Sequence, residues 1–336
     1  MWALRNQTAY AAERNWTRDK SGVHHWLVAV KAAFLVAPDG RLSLAEEQPP
    51  PVLSPEYRGE PGSSSLRYDS DLLAFKPVTD VLVEASAHAP GGKPTPSVPV
   101  ALRFAQVRKS LVVHGTRVFM NGFAGVVPSK PVPFIERPIV YEWAYGGYDQ
   151  PGRDAREHRM DPRNPVGKGI AVKPARLLGQ PAPAIEYAEG PIEKMGPAGF
   201  GPIAAGWSPR RELGGTFDAN WERKQKPLLP TDYDERFALS APHDQRPDQH
   251  LRGGERMELV NLTPEGVLRF DLPKLYFVMT TWFGREAREH RARLATVFID
   301  TARMRLELVW QSTLRVPPKD VDHLDQTDIE EKPFLS

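Results

Sequence analysis

The chain has 336 residues, with 44 Lys and Arg against 42 Asp and Glu, and a net charge of +2 gives nucleic acid no electrostatic reason to bind. An apolar share of 40% with eight Trp describes a folded chain, and the absence of Cys removes disulfides, thiolate nucleophiles and Cys-ligated metals together. Proline is the outlier: 34 of them, about 10% against a usual ~5%, argue against long helices.

The N-terminus, Met1-Trp2-Ala3-Leu4-Arg5-Asn6-Gln7, turns polar at once, so no secretory signal is read there. The most apolar segment, residues 26–37, is interrupted by Lys31 and falls short of the ~20 residues of a membrane span. A cytoplasmic protein without membrane contact is expected. Residues 23–36, VHHWLVAVKAAFLV, are rich in β-branched and aromatic side chains and read as a strand, followed by an Asp39-Gly40 turn and a short strand. Pro49-Pro50-Pro51 and residues 59–65 read as loops. Between 78 and 106 a hairpin is expected about Pro90-Gly91-Gly92-Lys93-Pro94, because Val98, Val100, Leu102 and Phe104 alternate with Pro99, Ala101, Arg103 and Ala105. Two more short strands flank His114-Gly115, which makes residues 16–120 an antiparallel meander.

Residues 121–255 break the pattern, with 18 Pro and 17 Gly and no sustained period. Composition alone would make them a linker. Yet they hold Trp143, Tyr145, Phe200, Trp207, Phe217, Trp221, Tyr233 and Phe237, which disordered segments generally lack, so an ordered, irregular insertion packed on the sheet is expected. Its loops are the natural place for binding.

Strand signals return over 256–316, with a Thr263-Pro264-Glu265-Gly266 turn near their start. Residues 284–293, GREAREHRAR, read as a polar protrusion, either a helical turn or a charged hairpin tip. Residues 317–336 carry Asp320, Asp322, Asp325, Asp328, Glu330 and Glu331 and read as a mobile acidic tail. The fold expected is mainly β: one unit over 1–336, an antiparallel β-sandwich or meander scaffold with a long Pro/Gly-rich, aromatic-containing insertion.

No arrangement of residues demands a cofactor, a metal or catalysis. His24-His25 are adjacent and point to opposite faces of a strand, and no pair of His stands at zinc-protease spacing. His243-Asp244, Asp248-Gln249-His250 and the pair Asp232 and Asp234 offer carboxylate-histidine chemistry, but no nucleophile elbow accompanies them. Gly199-Phe200-Gly201 and Gly167-Lys168 lack the context of nucleotide-binding loops and read as turn glycines.

Several short phrases are more telling together. They are Lys76-Pro77-Val78-Thr79-Asp80-Val81, Tyr145-Gly146-Gly147, Arg163-Asn164-Pro165-Val166-Gly167-Lys168-Gly169, Pro197-Ala198-Gly199-Phe200-Gly201-Pro202-Ile203 and Trp207 with Pro209-Arg210. Gly215-Thr216-Phe217-Asp218 with Trp221, Pro242-His243-Asp244-Gln245 and Leu251-Arg252-Gly253-Gly254-Glu255 follow in order. With these phrases the chain, from about 26 to 310, resembles the domain of unknown function 2169 family, encoded in bacteria beside type VI secretion spike genes. The resemblance implies a non-catalytic adaptor or chaperone whose partners are a type VI effector protein and a spike (VgrG/PAAR-type) protein. Trp143, Tyr145, Arg163, Asn164, Phe200, Trp207, Arg210 and Trp221 are the residues expected to face a partner. A hydrolase using the His and carboxylate groups of the insertion, or a carbohydrate-binding β module, are the rival readings.

Overall fold

The computed structural model describes residues 2–123, 125–152 and 154–333, in which strand outweighs helix by 42% to 12%. The sheets are mostly antiparallel, and none closes into a barrel among the described residues. At the centre lies a sheet ordered Ala11–Arg18, His24–Val36, Arg305–Val316, Arg293–Asp300, Asp80–Glu84, so strands from both ends of the chain interleave. His24–Val36 is buried on both faces from Trp26 to Phe34, which is why it reads as a continuous apolar run rather than an alternation. Its turn forms as the dipeptide predicts: Gly40 takes φ 85° and its N–H donates to the Ala37 carbonyl at 2.8 Å before Leu42–Leu44 pairs back.

The expected hairpin over 78–106 does not form. Asp80–Glu84 runs parallel to Arg293–Asp300, and the return strand Ser97–Phe104 pairs with Val107–His114 and, on its other edge, with Arg256–Val260. A period of two identifies a strand but not its partner. The shorter loop wins here: Ala105-Gln106 closes the real hairpin, with Ala105 in the left-handed region at φ 43°. The two strands expected to flank His114-Gly115 are present as Val107–His114 and Phe119–Gly122, but they do not pair with each other, because Phe119–Gly122 turns onto Gly125–Pro128. The resulting second sheet runs Ile185–Tyr187, Val107–His114, Ser97–Phe104, Arg256–Val260, Val267–Asp271.

A third sheet overturns the expectation of a mobile tail. Leu324–Lys332 is an inner strand, parallel to Ala3–Asn6 on one side and antiparallel to Tyr276–Phe283 on the other. Its acidic residues hid an alternation in which Leu324, Thr327 and Ile329 are buried while Asp325 and Glu331 face out. Residues 284–293 resolve as the hairpin alternative, with Glu286–Arg291 returning along Tyr276–Phe283 after Gly284.

A buried hydrogen-bond chain joins this sheet to the central one. Trp26 Nε1 donates to Thr327 Oγ1 at 2.9 Å, Thr327 meets Thr281 at 2.8 Å, Thr281 meets His290 Nε2 at 2.8 Å, and His290 Nδ1 meets Ser312 Oγ at 2.6 Å. Burial pushes the His290 imidazole down to about 4. The unfolded chain therefore binds a proton as pH falls below ~6.5 that the folded chain refuses until about pH 4, and stability declines across that window by about 3 kcal/mol. Urea unfolding at pH 7, 5.5 and 4.5 should show the decline in the native protein and a flatter one in His290→Gln. Equal slopes would mean that His290 is not held neutral.

Candidate functional site

Most phrases of the sequence meet along the seam where residues 121–255 lie against the sheets, whereas Gly215-Thr216-Phe217-Asp218 with Trp221 bonds locally to Asp232 and Leu228. Asp80, fully buried, accepts from Lys76 Nζ at 3.0 Å, from the Ser240 N–H at 2.9 Å and from the Ala241 N–H at 3.0 Å. Burial alone would push its carboxyl up; Lys76 and the two backbone donors outweigh that and hold it below the usual carboxylate range. Lys76 also donates to Thr296 Oγ1, and Thr79 Oγ1 donates to the Leu294 carbonyl while accepting from the Leu251 N–H. Asp80 and Thr79 thus tie the insertion, at Ser240, Ala241 and Leu251, to the central sheet, while Lys76 and the Thr79 hydroxyl bind the same segment to the neighbouring strand Arg293–Asp300.

The other phrases act in the same way. Gln245, at the end of the short turn His243–Gln245, gives its amide to the carbonyls of Val81 (2.7 Å) and Phe200 (2.8 Å). Asp244 pairs with buried Lys109 at 2.9 Å, and burial lowers the Lys109 pKa in spite of that partner. Arg210 forms an ion pair with Asp69 at 2.7 Å and donates to the carbonyls of Ile203 and Phe237. Asn164 caps the carbonyls of Tyr141 (2.8 Å) and Tyr145 (3.0 Å), and Trp207 packs edge-on against Tyr141 at 5.7 Å. Tyr141, Phe200 and Trp207 belong to the main hydrophobic cluster, so the insertion is ordered and held by its aromatics.

This placement changes the meaning of the eight residues expected to face a partner. Tyr145, Asn164, Phe200, Trp207 and Arg210 are buried. Trp143 is half-buried beneath the Arg137 guanidinium at 4.9 Å, Arg163 is engaged with Asp161, and Trp221 gives its Nε1–H to the Leu228 carbonyl. They staple the insertion and offer a partner little surface. The carboxylate and histidine candidates are taken by different local partners: Asp232 by Thr216, Asp234 by Arg236, Asp244 by Lys109, His250 by the Leu294 carbonyl, His24 by Trp16 and His25 by Asp19. No group of three or more His, Asp and Glu placed to hold a metal occurs among the described residues.

One buried cluster was not anticipated. Lys31, in the middle of the apolar strand, lies 3.2 Å from Asp71 and 2.9 Å from Glu307. The signal was present, since a Lys inside a doubly buried strand must bring carboxylates with it.

Exposed apolar surface collects elsewhere, on the arm formed by Phe119–Gly122 and Gly125–Pro128. Met120 pairs with Val127 and Val118 lies two residues before Met120, so all three share a face, each about two-fifths to one-half exposed. Phe123 stands at the tip, fully exposed. The inner strand is anchored through Phe119, which exchanges backbone bonds with Gly179 and Gln180, while among the described residues Gly125–Pro128 pairs on one edge only.

Fold and seam together define a class: a mainly β scaffold carrying a long irregular segment that is locked by buried side-chain-to-backbone bonds. The chain belongs to the family described as uncharacterized protein conserved in bacteria (DUF2169), which matches residues 21–311. That span contains the whole seam and the arm and stops before the strand Leu324–Lys332. No curated protein and no solved structure matches the chain.

Proposed function

We propose that this protein is a non-catalytic adaptor or chaperone that holds a type VI effector protein and helps load it onto the secretion spike. The observation that carries the reading is the arm. A phenyl ring fully exposed at the tip of a hairpin, beside a part-exposed apolar face on Val118, Met120 and Val127, is not buried against any of the described residues and suits a protein partner. The single-edged strand Gly125–Pro128 adds backbone donors and acceptors that an extended segment of an effector can pair with. The resemblance read from the sequence points to the same role. The engagement of Asp232, Asp234 and Asp244 in turns and ion pairs weighs against the hydrolase reading.

The test is co-purification of the native protein with its effector, identified by mass spectrometry. Phe123→Asp and Met120→Asp should keep the melting temperature, since both side chains are exposed, and lose effector by about 30-fold, the equivalent of a hot spot worth ~2 kcal/mol. Wild-type capture by both variants would remove the arm from the interface. Absence of any effector from the native complex would remove the adaptor reading itself.

A further inference from the structure

A second surface has a different chemistry. Where Glu286–Arg291 ends and Arg293–Asp300 begins, the chain crosses from the third sheet to the central one through Ala292. A cleft of about 650 Å³ opens at the crossing, and its walls include Arg252, Arg291, Arg293, His250, Tyr276 and Trp310. That volume lies in the range of small-ligand sites, roughly 300–1,000 Å³.

The charges are what single it out. Surface arginines of this chain are commonly spent on carboxylates, as Arg288, on the same strand as Arg291, is spent on Glu286 and Asp320. Arg252, Arg291 and Arg293 form no ion pair among the described residues. Glu255, the carboxylate next to Arg252 in the chain's turn, accepts instead from the backbone N–H groups of Arg252 and Gly253. The Arg291 guanidinium faces the Tyr276 ring at 5.8 Å. Glu235 lines the neighbouring hollow shared by Arg291 and Arg293, yet among the described residues it makes no ion pair with either, so three guanidinium groups line one concavity with their charge unspent, and the concave wall focuses their field on whatever enters. His250, on the same wall, responds to it: burial first, and the Arg293 charge after it, lower its pKa while its ring donates to the Leu294 carbonyl. The floor is apolar, made by Leu251, Leu294 and Trp310.

We infer that this cleft binds an organic oxyanion, a ligand whose carboxylate or phosphate group is gripped by Arg291, Arg293 and Arg252 while its apolar or aromatic body lies against Tyr276, Leu294 and Trp310. Arginine suits this task because its planar fork meets both oxygens of such a group at once. The same chemistry is offered by a free organic phosphate and by the acidic side chain of a peptide. The site stands independently of the adaptor reading, since it shares no residue with the arm.

Titration calorimetry on the full chain tests it with four probes: phenyl phosphate, inorganic phosphate, phenol, and a short peptide alternating Glu and Phe. Phenyl phosphate or the peptide should bind saturably with one site per chain, and phenol and inorganic phosphate at least tenfold more weakly, because each carries half of the recognition. The tighter of the two complete probes identifies the source, a free anion or an acidic polypeptide. Arg291→Gln/Arg293→Gln should weaken binding at least tenfold with an unchanged melting temperature. The charge-matched control Arg223→Gln/Arg285→Gln, in exposed positions away from the cleft, should leave it intact. Tyr276→Leu, which keeps every charge, should weaken phenyl phosphate but not inorganic phosphate. No saturable binding by either complete probe, or an equal loss in the control pair, overturns the assignment.

Discussion

Asp80→Ala is expected to destabilise the protein by about 3–5 kcal/mol, a third or more of the stability of an ordinary domain. The substitution does three things at once. It leaves the Lys76 ammonium buried with only the Thr296 hydroxyl for company, and it strips the N–H groups of Ser240 and Ala241 of their acceptor. Each orphaned buried donor costs about 1–3 kcal/mol, and an unpaired buried charge costs more. Asp80→Asn should fall between, because it keeps an acceptor oxygen but not the charge. Adding Lys76→Met to Asp80→Ala should recover part of the loss, since it removes the stranded ammonium. The pH dependence has the opposite origin to that of His290. A carboxyl whose folded pKa is lowered contributes stability that is complete above its unfolded value of ~3.9 and is lost as pH falls through the folded value. Equilibrium unfolding in urea, followed by Trp fluorescence, measures all of this. A change in Asp80→Ala below about 1 kcal/mol would show that the seam does not hold the insertion in place.

What the sequence revealed of this architecture follows a physical division. Local periodicity reports burial, so the strands His24–Val36 and Ser97–Phe104 and the turn at Gly40 were legible from apolar spacing and turn chemistry. Pairing is not local. The parallel contact between Asp80–Glu84 and Arg293–Asp300 spans more than 200 residues and leaves no mark in either segment. The strand Leu324–Lys332 is hard to see in the sequence because acidic residues at its outward positions give it the composition of a solvated tail. In the insertion the phrases are visible as unusual residue combinations, but the sequence does not say which of their side chains are buried. Aromatic and Arg side chains in loops look alike whether they anchor a partner or staple a loop. Burial alone separates Trp207 and Arg210, which staple, from Phe123, which no phrase flagged and which stands fully in water.

The glycines of the phrases provide the second large effect. Gly146 has φ +142°, and a Cβ there would lie 2.2 Å from the Asn164 carbonyl oxygen, a backbone atom that cannot swing aside. The carbonyl is fixed because the Asn164 side chain is buried and donates to Tyr141 and Tyr145, while the Gly147 N–H returns a bond of 2.7 Å to that same Asn164 oxygen. Tyr145-Gly146-Gly147 and Asn164-Pro165-Val166-Gly167 are thus two halves of one interlock, each shaped by the backbone of the other. Gly146→Ala must push the halves apart, adding about 1–3 kcal/mol of backbone strain to the loss of the Asn164 bonds, for a total of about 3 kcal/mol or more. Gly179→Ala is the control: Gly179 also has a positive φ, +76°, but nothing lies within 4 Å of its added Cβ, so only the conformational strain remains. Hydrogen exchange distinguishes the two outcomes. In Gly146→Ala protection should fall across residues 141–170 before it falls in His24–Val36, whose strand is paired on both sides. Equal destabilisation by the two substitutions would mean that conformation, and not the close approach to Asn164, makes Gly146 necessary. If the arm depends on the insertion for its position, Gly146→Ala should also lower effector capture although Phe123 is untouched. A loosened variant that still captures effector fully would show that the arm works as an independent element.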